Sequence, residues 1–338
     1  MNIREPTSSR SYLNRLDNKP PKTRHTKKYF LVLVIFAISL VSWSFLGTSH
    51  ASTVGSPLKS GWNNYCLDDY KDKTIANNQV DIWPCNNSEA QDWELSLTQI
   101  KHGDSQCLTA ESDSTIDLND CTQAANQVWL RDGGGYLNPN SGLCLSSPKE
   151  GQGQLLTLDS CDNLTSSTQN WIPSFSYSDY KCTGDQASQV ACSAVKEWIN
   201  WQSNPNGHEA LLNTYTGGTP YEEWCADFVS YIFKESGFPF TNGNYGWDEN
   251  IASGIQNQGF TMHTNPDYVP VAGDVAFFDY PGGHVEIVVS GGKKPTFVYG
   301  NSKTIDPTTQ NGEMATNTIT NDGTFGKVLY YMSPTSST

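Results

Sequence analysis

Three hydrophobic rhythms follow one another along the chain. Residues 1–28 are polar, and Tyr29 to Phe45 is an uncharged apolar run of 17 residues. From Gly55 to Pro173, short stretches alternate apolar and polar between clusters of Gly, Asn, Asp and Ser, the period-two pattern of half-buried strands joined by turns. From Cys182 onward the period lengthens. Val190, Ala191, Ala194, Val195, Trp198 and Trp201 form a stripe at helical spacing over Gln189 to Trp201. A second helix is expected from Pro220, where Thr219-Pro220-Tyr221-Glu222 reads as a capping box with proline in the first turn. Its apolar face would carry Cys225, Phe228, Val229 and Ile232, and it would end near Gly237. Strands return at Asp274 to Phe278, His284 to Val289, Thr296 to Tyr299 and Lys327 to Met332. Helices followed by an antiparallel sheet predict an α+β domain. The expected organisation is a leader over 1–51, an all-β domain over 55–173, a Ser- and aromatic-rich linker over 174–181 and an α+β domain over 182–335.

The β-rich stretch repeats itself. Cys66-Leu67, Cys107-Leu108 and Cys144-Leu145 each open a unit, and a second cysteine follows 14 to 19 positions later. Each unit closes on Gln-x-Trp: Gln91-Asp92-Trp93, Gln127-Val128-Trp129 and Gln169-Asn170-Trp171. The tryptophans are 36 and 42 residues apart, so three copies of a unit of about forty residues imply a pseudo-threefold β structure.

Cysteine usage and charge set the compartment. Spacing pairs Cys66 with Cys85, Cys107 with Cys121, Cys144 with Cys161 and Cys182 with Cys192, and leaves Cys225 as the odd ninth. No pair has zinc spacing, so neither a metal nor a cofactor is expected. Residues 1–28 hold eight Lys/Arg against two Asp/Glu. With the apolar run and Ser49-His50-Ala51 after it, they read as a signal peptide cleaved after Ala51. The alternative is a signal anchor that keeps the chain on the membrane through 29–45. Either reading places residues 52–338 outside the cytoplasm, where disulfides persist. Without residues 1–28 the chain holds 13 basic against 33 acidic side chains, a net of −20. That balance argues against nucleic acid as a partner, because phosphate binding needs a basic surface. Any contact with a polyanionic wall must come from specific sugar recognition.

A thiol outside the disulfides in an exported protein is a candidate nucleophile. Cys225 sits in Glu223-Trp224-Cys225-Ala226-Asp227-Phe228-Val229. His284 follows Gly282-Gly283 at a strand start, where it can take the thiol proton and return it to a leaving amine. A third group must fix the imidazole tautomer. Asn301, after the next strand, is the first candidate and Glu286, two residues along the strand from His284, the second.

Residues 55–173 resemble the ricin-type β-trefoil lectin family, whose signature is a threefold Q-x-W repeat with a disulfide in each unit. In that family a sugar is held by an Asp just after the first cysteine, an aromatic platform before the second and polar groups near Gln-x-Trp. The resemblance implies one sugar site, in unit one, from Asp68, Asp81, Trp83 and Gln91; Ala90 stands where relatives usually have Asn. Unit two has Thr109 and Asn119, and unit three Ser146 and Asp159, so both read as degenerate. A trefoil kept only as a spacer is the alternative. Trp224-Cys225-Ala226, Ala272-Gly273-Asp274-Val275, Gly283-His284-Val285 and Gly300-Asn301 resemble the CHAP family, cysteine, histidine-dependent amidohydrolases/peptidases. This second resemblance implies a papain-like fold, cleavage of peptidoglycan amide bonds, Cys225 as nucleophile, His284 as base and Asn301 as orienting residue. It also implies the cysteine at the helix start, and a break near Glu223-Trp224 would reconcile that with the capping box. Some relatives carry an acid just before that Asn, where this chain has Tyr299 and Gly300. Together these imply a wall hydrolase, amidase or endopeptidase, with glycan and wall peptide as partners. The rival class is a lectin or adhesin with an inactive hydrolase half.

Overall fold

The computed structural model describes residues 55–62, 65–73, 75–122, 124–149, 151–162, 168–173, 177, 180–218, 223–240, 248–302, 312–318 and 326–334. The leader with its cleavage site, most of the linker and the capping box at 219–222 lie outside them.

In the N-terminal half the three units fold alike. In unit one, β1 (Tyr65–Asp69) pairs antiparallel with β2 (Asn78–Pro84), setting Cys66 opposite Trp83 and Asp68 opposite Asp81. The matching hairpins of units two and three set Cys107 opposite Asn119 and Cys144 opposite Asp159. Disulfides Cys66–Cys85, Cys107–Cys121 and Cys144–Cys161 close the hairpins, as the spacing predicts. Trp93, Trp129 and Trp171 are buried, and each indole N–H donates to the carbonyl of the leucine after its unit's first cysteine. Those bonds, to Leu67, Leu108 and Leu145, measure 2.9, 2.8 and 2.9 Å. A buried indole N–H needs a partner, and the repeat supplies the same one three times. Finally, Lys59 pairs with Ile172 and Ser60 with Trp171, so the two ends of the segment meet and close the domain. This is the β-trefoil that the repeat implies. Along β1 and β2, Leu67, Val80 and Ile82 turn into its core, while alternation sends Asp68, Asp81 and Trp83 to the opposite face.

The C-terminal half is α+β, as expected. Helix α1 (Gln186–Ser203) starts on Asp185, whose side chain accepts a 2.9 Å bond from the Ser188 amide, and Cys182–Cys192 staples its lead-in to the second turn. Its Trp198 indole donates to the Arg131 carbonyl at 3.0 Å, tying the helix to the trefoil. Helix α2 (His208–Thr216) is absent from the sequence reading because it buries only Leu212 and Tyr215, too sparse a stripe to register. Helices α3 (Cys225–Glu235) and α4 (Asp248–Asn257) follow.

The strands β4 (Phe260–His263), β5 (Val275–Phe278), β6 (His284–Ser290), β7 (Thr296–Tyr299), β8 (Ala315–Thr318) and β9 (Val328–Pro334) form an antiparallel sheet in the order β4-β9-β5-β6-β7-β8. The edge strands β4 and β8 escaped the sequence reading because neither alternates over enough residues. Val285, Ile287 and Val289 of β6 join the core under the helices, with Phe228, Val229, Val275, Phe277 and Val298. The alternate residues His284, Glu286 and Val288 share the other face with Ala276, Phe278, Phe297 and Tyr299.

The capping box at Pro220 lies outside the described residues, but no helix runs unbroken from it to Cys225. Glu223 and Trp224 are not helical; Trp224 is the N-cap and α3 begins at Cys225. The Trp224 ring decides this. It is fully buried, stacked 5.7 Å from Trp201 and 5.6 Å from Tyr215, which fixes its backbone and starts the helix one residue later.

Candidate active site and sugar-binding face

Glycines hold two candidate segments against the residues that lead into Cys225. A Cβ on Gly300 would lie 2.2 Å from the Trp224 ring and 3.0 Å from Phe228 Cβ, so the end of β7 packs directly on the start of α3. A Cβ on Gly282 would lie 3.3 Å from a carboxylate oxygen of Glu223, which sets the turn before His284 beside the same segment. Gly282 and Gly283 have φ of 95° and 81°, a left-handed turn that favours glycine. Helix α3 also packs on β6. Cys225 lies outside the four disulfides, buried, as the first residue of α3. The helix N-terminus presents backbone N–H groups that favour an anion there.

His284 is buried at the start of β6, edge-on to the Tyr299 ring at 5.2 Å. Its Nε2 lies 3.3 Å from Glu286 Oε1, and Glu286 is fully buried. The β6–β7 register pairs Ile287 with Val298 and Val288 with Phe297. Continued by one residue, it brings Glu286 opposite Tyr299. Asn301 adopts φ 60° just past Gly300, and its Oδ1 crowds the position of a Cβ on Gly312, at 2.5 Å. Of the two candidates for the third role, Glu286 is the one with a described contact to His284. The Ala-Gly-Asp block is structural: the Asp274 carboxylate accepts from Val271 N at 3.0 Å and Tyr268 OH at 2.9 Å. A cleft of about 1450 Å³ lies between the halves, lined by Arg131, Lys196, Glu197 and Tyr231, and does not include Cys225 or His284.

On the trefoil, each Gln of Gln-x-Trp is a clip. The Oε1 atoms of Gln91, Gln127 and Gln169 accept from the amides of Asn86, Thr122 and Asp162. Their Nε2 groups donate to Asp68 Oδ2 at 2.8 Å, Thr109 Oγ1 at 3.0 Å and Ser146 Oγ at 3.0 Å. Gln91 is fully buried, with both ends of its amide engaged inside the protein. Asn119 and Asp159, at the register position of Trp83, are engaged inside the protein: Asn119 donates to Glu111 and accepts from the Asn77 amide of unit one, and Asp159 accepts from Thr157. Unit one is different: Trp83 is 39% exposed beside Asp68 and Asp81. Burial raises Asp68, opposed by the Gln91 hydrogen bond. Burial, with the charges of Asp68 and Asp69, pushes Asp81 up to about 7. Sequence reasoning missed a contribution from unit three. Strand β3 (Gln154–Leu155) pairs with β2, and a Cβ on Gly153 would lie 3.4 Å from the Trp83 ring and 3.9 Å from Asp81 Oδ2.

Residues 56–171 match the family model of the ricin-type beta-trefoil lectin domain, and residues 214–301 match that of the CHAP domain. The ribosome-inactivating protein SNAI of Sambucus nigra is 32% identical over 113 residues, covering 33% of this chain and 20% of that protein. Abrin-a of Abrus precatorius is 28% identical over 166 residues, covering 44% and 31%. This chain thus spans a fifth to a third of those two relatives. Among solved structures, the beta-trefoil lectin of the Vibrio vulnificus hemolysin/cytolysin with N-acetyl-D-lactosamine bound is 24% identical, covering 36% of this chain and 94% of that one, with a TM-score of 0.32. An agglutinin from Abrus precatorius is 25% identical, covering 38% and 51%, with a TM-score of 0.33.

Proposed function

We propose that this chain, which joins a ricin-type β-trefoil lectin domain to a CHAP domain, is an exported cysteine hydrolase that cuts a peptide amide of peptidoglycan while the trefoil holds a wall glycan. The observation that carries the reading is Cys225 at the first position of α3, with the turns before His284 and Asn301 packed on the two residues ahead of it. In the proposed reaction His284 Nδ1 takes the proton of the Cys225 thiol. The sulfur attacks the amide carbonyl, the imidazolium protonates the departing amine, and water then releases the acyl group. Glu286, with Oε1 3.3 Å from Nε2, balances the imidazolium charge and, once the two align into a hydrogen bond, holds the tautomer that leaves Nδ1 as acceptor. The four disulfides suit an oxidising compartment outside the cytoplasm.

Mass spectrometry of peptidoglycan digests tests the reading. New amine ends are expected either at L-alanine beside the sugar lactyl group or within the stem or cross-bridge peptide, which separates amidase from endopeptidase. Absence of released fragments from every wall chemotype tried would sink the enzyme. The second reading, a lectin with an inactive hydrolase half, is separated by thiol labelling. A working Cys225 alkylates faster than cysteine in a peptide near neutral pH, and His284→Ala slows it.

A further inference from the structure

The outward face of the unit-one hairpin carries an unusual polar set. Cross-strand partners Asp68 and Asp81 set two carboxylates side by side, next to the exposed Trp83 ring. Asp81 is 2% exposed, and its Oδ1 has no hydrogen-bond partner among the described residues. Gly153, from unit three, borders Asp81 and the Trp83 edge without adding a polar side chain. Ala90 adds none either, and Gln91 is engaged inside the fold. An ionised carboxylate only accepts hydrogen bonds, so the pair offers acceptors and negative charge beside a stacking platform whose indole N–H is the one side-chain donor of the three. A neutral sugar hydroxyl can donate to such a pair but does not offset its charge. A ligand with an ammonium group satisfies an acceptor-only pair and relieves its repulsion together.

We propose that the Asp68–Asp81–Trp83 face binds a sugar bearing a protonated primary amine, a de-N-acetylated hexosamine unit of a glycan, with its ring on Trp83 and its ammonium between the two carboxylates. The inference rests on the lectin reading and names its ligand class. The charged groups around Asp81 are Asp68 and Asp69 on β1 and Asp72 in the following turn. Asp69 is engaged on the core side by His102, and the bordering strand Gln154–Leu155 brings no charge. Asp81 titrates near 7 without ligand, so it is mostly neutral at pH 5.5 and mostly ionised at pH 8. A bound ammonium favours the ionised form, so affinity should rise with pH over that range and binding should release a proton.

The test is calorimetric titration of the full chain with glucosamine and galactosamine oligosaccharides, their N-acetylated forms and galactose, at several pH values between 5.5 and 7.5. The amine-bearing sugars are expected to bind about tenfold tighter than the N-acetylated ones near pH 7.5, as for gain of a charge-assisted contact. That preference should shrink toward pH 5.5, and heats near pH 6.5 should vary with buffer ionisation enthalpy. Asp81→Asn and Asp81→Gln, checked for folding by near-ultraviolet circular dichroism, should abolish both the preference and the pH dependence. Equal or better binding of N-acetylated or neutral sugars, or affinity that falls as pH rises, overturns the inference alone. Displacement of the sugar by millimolar calcium also overturns it, marking a cation site instead. No saturable binding of any sugar overturns the lectin reading with it.

Discussion

A single methyl group at Gly300 bears on the whole catalytic arrangement. It has no room against the Trp224 ring, so Gly300→Ala must displace either β7 or the residue that starts α3. Turnover is expected to fall on the order of a hundredfold, the scale of a misplacement of about an ångström, with sugar binding at Trp83 unchanged. Full activity in Gly300→Ala would separate Trp224 from the chemistry. For the tautomer-holding role, Glu286→Gln should lower turnover more than Asn301→Ala and should flatten the pH dependence of Cys225 alkylation, which a purely structural change would not do. The reverse order gives the role to Asn301. Asp81 predicts an effect on stability. Its folded value lies above the ordinary carboxylate range, so its contribution is full in acid and is lost as pH rises from about 4 through about 7. Asp81→Asn should therefore raise the melting temperature by a few degrees near pH 8 and change little near pH 4. Equal shifts at both pH values would refute the assignment.

At the scale of elements, the three Gln-x-Trp clips and the start of α3 set where functional side chains stand. Gln127 joins Thr109, the Asp120 carbonyl and the Thr122 amide. Gln127→Ala leaves those buried partners unmet and should cost roughly 1–3 kcal/mol in denaturant titration. Sugar affinity at unit one should not change; a matching loss of affinity would mean that the units are coupled. The clips were legible because a repeat announces itself three times. The start of α3 was only half legible, since the capping box points to Pro220 and the CHAP resemblance to Cys225. The stack of Trp201, Tyr215 and Trp224, which no local pattern contains, holds the non-helical Trp224 just ahead of Cys225. The sparse stripe of α2 and the edge strands β4 and β8 were invisible, since local pattern needs a repeated apolar face and α2 buries only two residues while each of the strands is four residues long.

At the scale of the whole molecule, the proposed function divides the labour between the two halves. Trp83→Ala should weaken glycan binding by roughly 1–3 kcal/mol, the usual loss for a stacking contact. Hydrolysis of a soluble muropeptide should stay intact while activity on whole walls falls. Equal loss on both substrates would contradict targeting by the trefoil. The sequence alone determined the pairing of eight cysteines, the threefold repeat, the order of the two domains and the identity of Cys225 and His284 as candidates. Each of these is written in spacing or in residue chemistry, which survive without coordinates. Only the tertiary structure decided that Glu286 meets His284, that Gln91 is a clip and that unit three borders the unit-one face. Those relations join residues far apart in the chain or on the same face of a strand. Packing sets them, through where a large ring finds room and which oxygen is left buried beside it.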